Sequence, residues 1–212
     1  MNRFKIRTEV RFNVNALDTL YEFNGRSAII ITDKFMISSG LVNKITDKMK
    51  GYKNIAIFDE ITPDPTTELI AKGLKFITEN GGEIVIALGG GSAIDAAKAI
   101  VLMAEKSGMG DLKLIAIPTT SGTGSEVTKF AVVTDTEEGR KFPLVDEQLI
   151  PDLAILDPEL VLSAPPSVTA DTGMDVITHA FEALVSVNNN DASDALADKA
   201  LLRAFKYLPF AF

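Results

Sequence analysis

The sequence predicts an α/β protein: a doubly wound, mostly parallel sheet followed by the beginning of an all-helical part. Two observations carry this. Short, uninterrupted apolar runs of strand length recur through the first half of the chain, and stretches with helical spacing separate them. Strands apolar on both faces belong in a sheet covered on both sides, and strand–helix alternation builds such a sheet from βαβ units. A third observation bounds that architecture: after Ala164-Pro-Pro-Ser167 no strand pattern returns.

Residues 4–14 open the chain with apolar side chains at mostly even positions, the period of a half-buried antiparallel strand at a sheet edge. Unpaired edges invite pairing with another chain, so this strand points to a homo-oligomer; pairing within the chain, in a hairpin with residues 27–32 or at another edge, is the alternative. Four buried strands follow, at Ser27–Thr32 (ending on Asp33), Asn54–Phe58, Glu83–Leu88 and Leu112–Ile117. Between them Leu41, Ile45 and Met49 recur at helical spacing, as do Leu69, Gly73 and Ile77, and Ala93–Ala104 is rich in helix formers. Beyond Ser125, residues 130–134 and 141–145 flank a glycine turn as a hairpin, and Asp152–Leu156 is a final strand. Past the proline pair, Ser167 is placed to cap one helix, Met174–Ser186 is another amphipathic run, and Asp191–Tyr207 follows. So few helices make no core of their own. The predicted division is an α/β domain over residues 1–163 and the truncated start of a helical domain over 164–212.

Composition narrows the function. The 212 residues are 46% apolar and 24% charged, an ordinary globular balance. No cysteine is present, which excludes disulfides, thiolate metal sites and cysteine nucleophiles. With 29 acidic against 21 basic residues, the chain is poorly suited to nucleic acid, whose binding relies on Lys and Arg neutralising phosphates. No apolar segment reaches the roughly 20 residues that cross a bilayer, and Met1-Asn2-Arg3-Phe4-Lys5 lacks the apolar core of a secretory signal. The expectation is a soluble protein of a reducing, cytoplasmic compartment, with no membrane and no nucleic-acid partner.

Two glycine-rich turns carry the chemistry. Leu88-Gly89-Gly90-Gly91-Ser92 joins a buried strand directly to a helix. Glycines let a ligand approach the main chain, and a helix N-terminus offers unpaired N–H groups to a phosphate. Ser92 can cap that helix or donate to a phosphate oxygen; a tight turn that binds nothing is the plain alternative. The familiar GxGxxG and GxxxxGK[ST] patterns are absent. Ile117-Pro-Thr119-Thr120-Ser-Gly-Thr-Gly-Ser125-Glu126 repeats the arrangement after the next strand. A polar surface loop explains one such stretch, but not two at adjacent strand ends, where open α/β sheets bind their ligands. Together they point to a phosphate-bearing ligand such as a dinucleotide. Asp33, at the end of an earlier strand, can accept both hydroxyls of an adenosine ribose and repel a 2′-phosphate, or it can simply cap the next helix. Asp175 and His179 lie four apart on a predicted helix and can converge on one cation, Zn²⁺ or Fe²⁺; a surface contact is the alternative. His179 is the chain's single histidine.

Taken together, Gly89-Gly-Gly-Ser-Ala-Ile-Asp95-Ala-Ala-Lys98, Pro118-Thr-Thr-Ser-Gly-Thr-Gly-Ser-Glu-Val127 and Gly173-Met-Asp-Val-Ile-Thr-His-Ala-Phe-Glu182 resemble the iron-containing (group III) alcohol dehydrogenases, in that family's order and over essentially the whole chain. The finer resemblance is to the 1-propanol dehydrogenase branch. The resemblance implies an N-terminal dinucleotide-binding domain, a C-terminal helical domain and a metal in the cleft between them. By position, Asp33 matches the acidic residue at the adenosine ribose, and Gly90, Gly91 and Ser92 match the pyrophosphate loop with Asp95 behind it. Thr119, Thr120 and the run to Ser125 match the second cofactor loop. Asp64 falls where a polar residue lies near the adenine side, and Lys141 matches a lysine near the nicotinamide ribose. Asp175 and His179 match the first two metal ligands; the family supplies two further histidines downstream, and this chain has neither.

The activity this implies is NAD-dependent, metal-dependent interconversion of a small primary alcohol and its aldehyde, with Fe²⁺ or Zn²⁺ and with no side-chain acid or base identifiable beyond the metal ligands. In similar enzymes the first strand meets its counterpart across a dimer. A second reading is an NAD-binding module without turnover, a truncated form lacking two of the metal-ligand histidines. A glycerol-dehydrogenase-like enzyme is a third, which the Thr119–Glu126 string fits poorly.

Overall fold

A computed structural model of the chain describes residues 4–211; residues 1–3 and 212, the outer ends of the two predicted domain ranges, lie outside them. Eight strands and six α-helices follow one another as β1 (Glu9–Phe12), β2 (Ser27–Asp33), α1 (Lys34–Ser38), α2 (Leu41–Lys48), β3 (Asn54–Ile61), α3 (Thr67–Asn80), β4 (Ile84–Gly89), α4 (Gly91–Lys106), β5 (Lys113–Pro118), β6 (Phe130–Asp135), β7 (Arg140–Val145), β8 (Leu153–Leu156), α5 (Pro166–Val185) and α6 (Asp191–Tyr207) among the described residues. Six of the strands form one sheet in the order β1-β8-β5-β4-β2-β3, and every pairing in it is parallel.

The central strands show why continuous apolar runs were required. Along β4, Val85 and Ala87 point to the face covered by α3 and α4. Ile84, Ile86 and Leu88 point to the opposite face, against α2 and the short 3-10 helix Ala16–Phe23. β5 divides in the same way, Leu114 and Ala116 one way, Ile115 and Ile117 the other. Each side chain of such a strand is removed from water, worth roughly 1.5–3 kcal/mol for each Leu, Ile or Val. Edge position relaxes this demand: in β3 only Phe58 and Ile61 are buried.

Several expectations are corrected. β1 is four residues long, largely exposed, and runs parallel to β8 with Glu9 opposite Leu153, not antiparallel and not in a hairpin with residues 27–32. Alternation in residues 4–14 reports a strand with two unlike faces and carries no information on the direction of its partner. β1 does lie at the sheet edge. The 3-10 helix at Ala16–Phe23 and the short α1 were not foreseen. Ser167 caps nothing: α5 starts at Pro166 with Pro165 in the cap position, and it runs unbroken through the stretch expected to be a separate helix. Proline suits a first helical turn because the missing N–H would be unpaired there anyway.

The hairpin is as expected, with β6 and β7 antiparallel and Phe130 opposite Val145. It stands apart from the main sheet and docks on the turn before α3, where the Thr134 N–H donates to the Pro65 carbonyl at 2.9 Å. α6 starts with a reciprocal capping arrangement in which the Asn190 side chain accepts from the backbone of Ala192 and Ser193. None of the helices among the described residues is long and apolar enough to cross a membrane.

Candidate functional site

In this sheet β2 leads outward to β3, and the chain then returns to the other side of β2 to form β4. The strand order therefore reverses between β2 and β4, where an open α/β sheet has its natural crevice at the carboxyl ends of the strands. A cleft of about 1240 Å³ opens there. Its walls come from Asp33 at the end of β2, residues 59–63 at the end of β3, Gly90–Ala93 after β4, and Thr119, Thr120 and Thr123 after β5. Its far side is closed by the start of α5, through Pro165, Val168 and Thr172.

Each wall has a local cause. Gly90 occupies the cap position of α4 in an extended conformation and brings no side chain to it. The first amides of α4 consequently face the cleft without a side-chain cap, and Ser92, expected as a possible cap, is the helix's second residue and a cleft-lining one. A Cβ on Gly91 would lie 2.8 Å from Thr123 Cγ2, so the absence of a side chain lets the second loop close on the first. The loops are also tied through the backbone: the Thr119 N–H donates to the Gly89 carbonyl at 3.0 Å. Gly122 does the same for α5, since a Cβ there would meet Thr172 Cβ at 2.6 Å.

Asp33 is the helix cap that was one of its two readings, and it also lines the cleft. Its Oδ1 accepts from the Phe35 and Met36 amides at 2.8 and 3.1 Å, capping α1. No hydrogen bond among the described residues engages Oδ2, and the residue lines the cleft.

Six residues of the expected set do not line the cleft: Asp64, Asp95, Ser125, Lys141, Asp175 and His179. Ser125 is buried, and its hydroxyl donates to Asp95 at 2.5 Å, while the other Asp95 oxygen accepts from the Val132 amide. Beside them Lys98 is fully buried, its ammonium donating to Ser125 Oγ, Thr128 Oγ1 and the carbonyls of Thr128 and Phe130 at 2.9–3.1 Å. Burial pushes this amine down to about 8, with Asp95 and Glu126 pulling it back up; burial also raises the Glu126 carboxyl. Lys98 stood in the recognised string, yet nothing in an alanine-rich helix marks the one lysine that points inward.

Asp64 and Lys141 meet each other, 2.6 Å apart on the exposed flank where β7 passes the turn before α3. Asp64 adopts a left-handed backbone (φ 56), which Asp tolerates better than most residues. That turn places Thr66 in the cleft wall as the cap of α3. Thr66, absent from the expected set, belongs to the wall, and so does Thr123, which lay within the expected run to Ser125 without being singled out; a Thr-Thr-Glu capping signal contained the first.

Asp175 and His179 share one face of α5, with Oδ1 and Nε2 3.6 Å apart. Two donors each about 2.1 Å from a tetrahedral ion stand about 3.4 Å apart, so the pair fits two corners of such a shell. Among the described residues no group of three or more His, Cys, Asp or Glu gathers to complete it.

Comparison with known proteins decides the family. The model of iron-containing alcohol dehydrogenases matches residues 7–158, and that of the Fe-containing alcohol dehydrogenase family C-terminal region matches 169–212. The chain belongs to the iron-containing alcohol dehydrogenase family. Among its relatives is the 1-propanol dehydrogenase PduQ of Salmonella typhimurium, 46% identical over all of this chain and 57% of that protein. The NAD-dependent methanol dehydrogenase of Bacillus methanolicus is 36% identical over 91% of this chain and 54% of its own length. In three dimensions the chain superposes on the sulfoacetaldehyde reductase of Bifidobacterium kashiwanohense in complex with NAD⁺ with a TM-score of 0.92 and 33% identity, over 100% of this chain and 60% of that one. The iron-containing alcohol dehydrogenase of Thermococcus thioreducens gives 0.90 and 30%, over 99% and 61%. This member of the family thus spans somewhat over half the length of these relatives.

Proposed function

We propose that this chain forms the nicotinamide-dinucleotide half of a metal-dependent alcohol dehydrogenase that interconverts a small primary alcohol and its aldehyde. The observation that carries the reading is the cleft at the strand-order reversal, walled by two mutually touching glycine–hydroxyl loops with α4's first turn open to it. The identity to a 1-propanol dehydrogenase and the likeness to a reductase in complex with NAD⁺ support the substrate class and the cofactor.

In this reading the diphosphate lies against the amides of Gly91 and Ser92, where the helix dipole favours negative charge. Thr119, Thr120 and Thr123 face it from the second loop, and Asp33 accepts the adenosine ribose hydroxyls through its unengaged oxygen. A 2′-phosphate there would meet a carboxylate, so NAD is preferred to NADP. Lys141, drawn from β7 by Asp64, stands on the flank as a cation for the ribose and phosphate groups. Asp95 and Ser125 hold the second loop from behind. Asp175 and His179 would hold Fe²⁺ or Zn²⁺, which when bound supplies Lewis-acid polarisation of an alcohol oxygen. Hydride transfer is the cofactor's own chemistry; the protein aligns it and excludes water. We place the division between the dinucleotide-binding part, 1–163, and the helical metal-binding part, 164–212, at the proline pair, and a homodimer at the β1 edge.

The test is titration with NADH alongside 1-propanol oxidation with NAD⁺ and added Fe²⁺ or Zn²⁺. Saturable NADH binding and metal-dependent turnover are expected; a chain that binds no NADH overturns the proposal, and one that binds NADH without turnover overturns its enzymatic half.

A further inference from the structure

Lys98 has no place in the reading above, yet it is the bulkiest of the fully buried side chains. A charge taken out of water persists only where hydrogen bonds replace its hydration. Here four oxygens do so, and all four belong to the segment that leaves the second loop: Ser125, Thr128 twice, and Phe130. One turn earlier on the same face of α4, Asp95 grips that segment through Ser125 Oγ and the Val132 amide. The connection then runs toward the cleft. The Ser125 N–H donates to Thr123 Oγ1 at 3.2 Å, and Thr123 is the side chain pressed against Gly91 at the start of α4. The helix thus holds the loop at its first turn through Gly91 and again further along through Asp95 and Lys98.

We propose that Lys98 is a positioning residue for the dinucleotide: its ammonium fixes where the Thr119–Thr123 loop stands against the N-terminus of α4, and so the width of the diphosphate slot. The proposal rests on the dinucleotide reading. The charged groups facing the amine are Asp95 from α4 and Glu126 from the turn after the loop, and burial brings the amine's own titration to about 8. Loss of its proton removes one of the donors that hold the segment, so NADH affinity is expected to fall as pH rises past that value.

The experiment compares wild type with Lys98→Met by hydrogen exchange without ligand and by NADH fluorescence titration across the alkaline range. Expected are faster exchange of amides 119–128 with 41–48 unchanged, NADH binding weaker by about tenfold, and loss of the alkaline fall in affinity that wild type shows. Unchanged exchange in 119–128, equal NADH affinity in the two proteins, or acceleration that includes 41–48 would each overturn the proposal, the last by making Lys98 a residue of general stability. Should Lys98→Met fail to fold, Thr128→Val, which removes one acceptor of the ammonium and leaves the Asp95–Ser125 bond in place, must show the same localised exchange and a smaller loss of affinity. A wild type that binds no NADH overturns the dinucleotide reading itself, an outcome told apart from the others because the variant plays no part in it.

Discussion

Thr123 occupies the space that a side chain on Gly91 would need, its Cγ2 2.8 Å from the position of an added Cβ. Two loops from neighbouring strands therefore close on each other only while residue 91 is glycine. Gly91→Ala is expected to leave the fold intact at a cost of about 1–3 kcal/mol, the range for overpacking a well-filled site. NADH affinity should fall by at least about tenfold as Thr123 is displaced. Paired thermal unfolding and NADH titration check this; a variant that binds as wild type does would show that the slot is not formed by this contact.

Asp33 caps α1 and, in the proposed reading, also meets the adenosine ribose, two tasks that substitution can separate. Asp33→Asn keeps an oxygen to accept from the Phe35 and Met36 amides but removes the charge, so stability should barely change while the preference for NAD over NADP shrinks. Asp33→Ala loses both, with about 1 kcal/mol of cap energy. The ratio of NADH to NADPH dissociation constants, measured beside urea unfolding, reads the two effects independently.

Lys98 also makes a prediction for stability against pH. Its folded value of about 8 lies below the ordinary 10.5, chiefly because burial disfavours the charge. The charged form therefore costs the folded state about 3 kcal/mol. That cost is fully present below 8 and is relieved as pH rises toward 10.5, because over this window the unfolded chain still holds the proton that the folded one has released. The unfolding free energy of wild type minus that of Lys98→Met should rise between about pH 7.5 and about pH 10. A difference that falls across that window would reverse the assignment.

A single histidine makes the proposed metal pair, Asp175 and His179, simple to observe. The imidazole resonance of His179 should shift and broaden on adding Zn²⁺, and Asp175→Asn should abolish the effect at the same metal concentration. An unchanged response in Asp175→Asn would mean that the two residues do not share an ion.

The sheet was legible because its central strands leave no choice: Ile29 to Ile31 and Ile84 to Leu88 offer no polar face to turn to water. Gly90, Gly91 and Ser92 were legible for a similar reason, as a strand cannot pass directly into a helix through three glycines without exposing main chain. What failed to show depends on distant partners. β1 takes its direction from β8, some 140 positions on, and nothing in residues 9–12 encodes that. The roles of Asp95 and Ser125 were blurred because a hydroxyl or carboxylate beside a glycine loop looks the same whether it faces the ligand or braces the loop from behind. Ser167 resembled a cap because the pattern cannot tell that the cap already stands at Pro165, two residues earlier, with Pro166 opening the helix.

The β1 edge carries exposed Phe12 on the strand and exposed Val14 just beyond it, 70% and 56% accessible. An apolar edge with unpaired main chain favours pairing with a second copy. Light scattering should give a concentration-dependent dimer, and Phe12→Lys should shift it toward monomer; a monomer at every concentration would count against assembly at this edge.

Calorimetric comparison of ADP-ribose with adenosine probes the slot between Gly91 and Thr123 with the fewest intermediates. Both ligands carry the adenosine that Asp33 would meet, and only one carries the diphosphate. Binding of ADP-ribose at least about a hundredfold tighter than adenosine is expected from a helix N-terminus and a hydroxyl loop closing on the phosphates. Equal affinities, or no heat from either ligand, would contradict it.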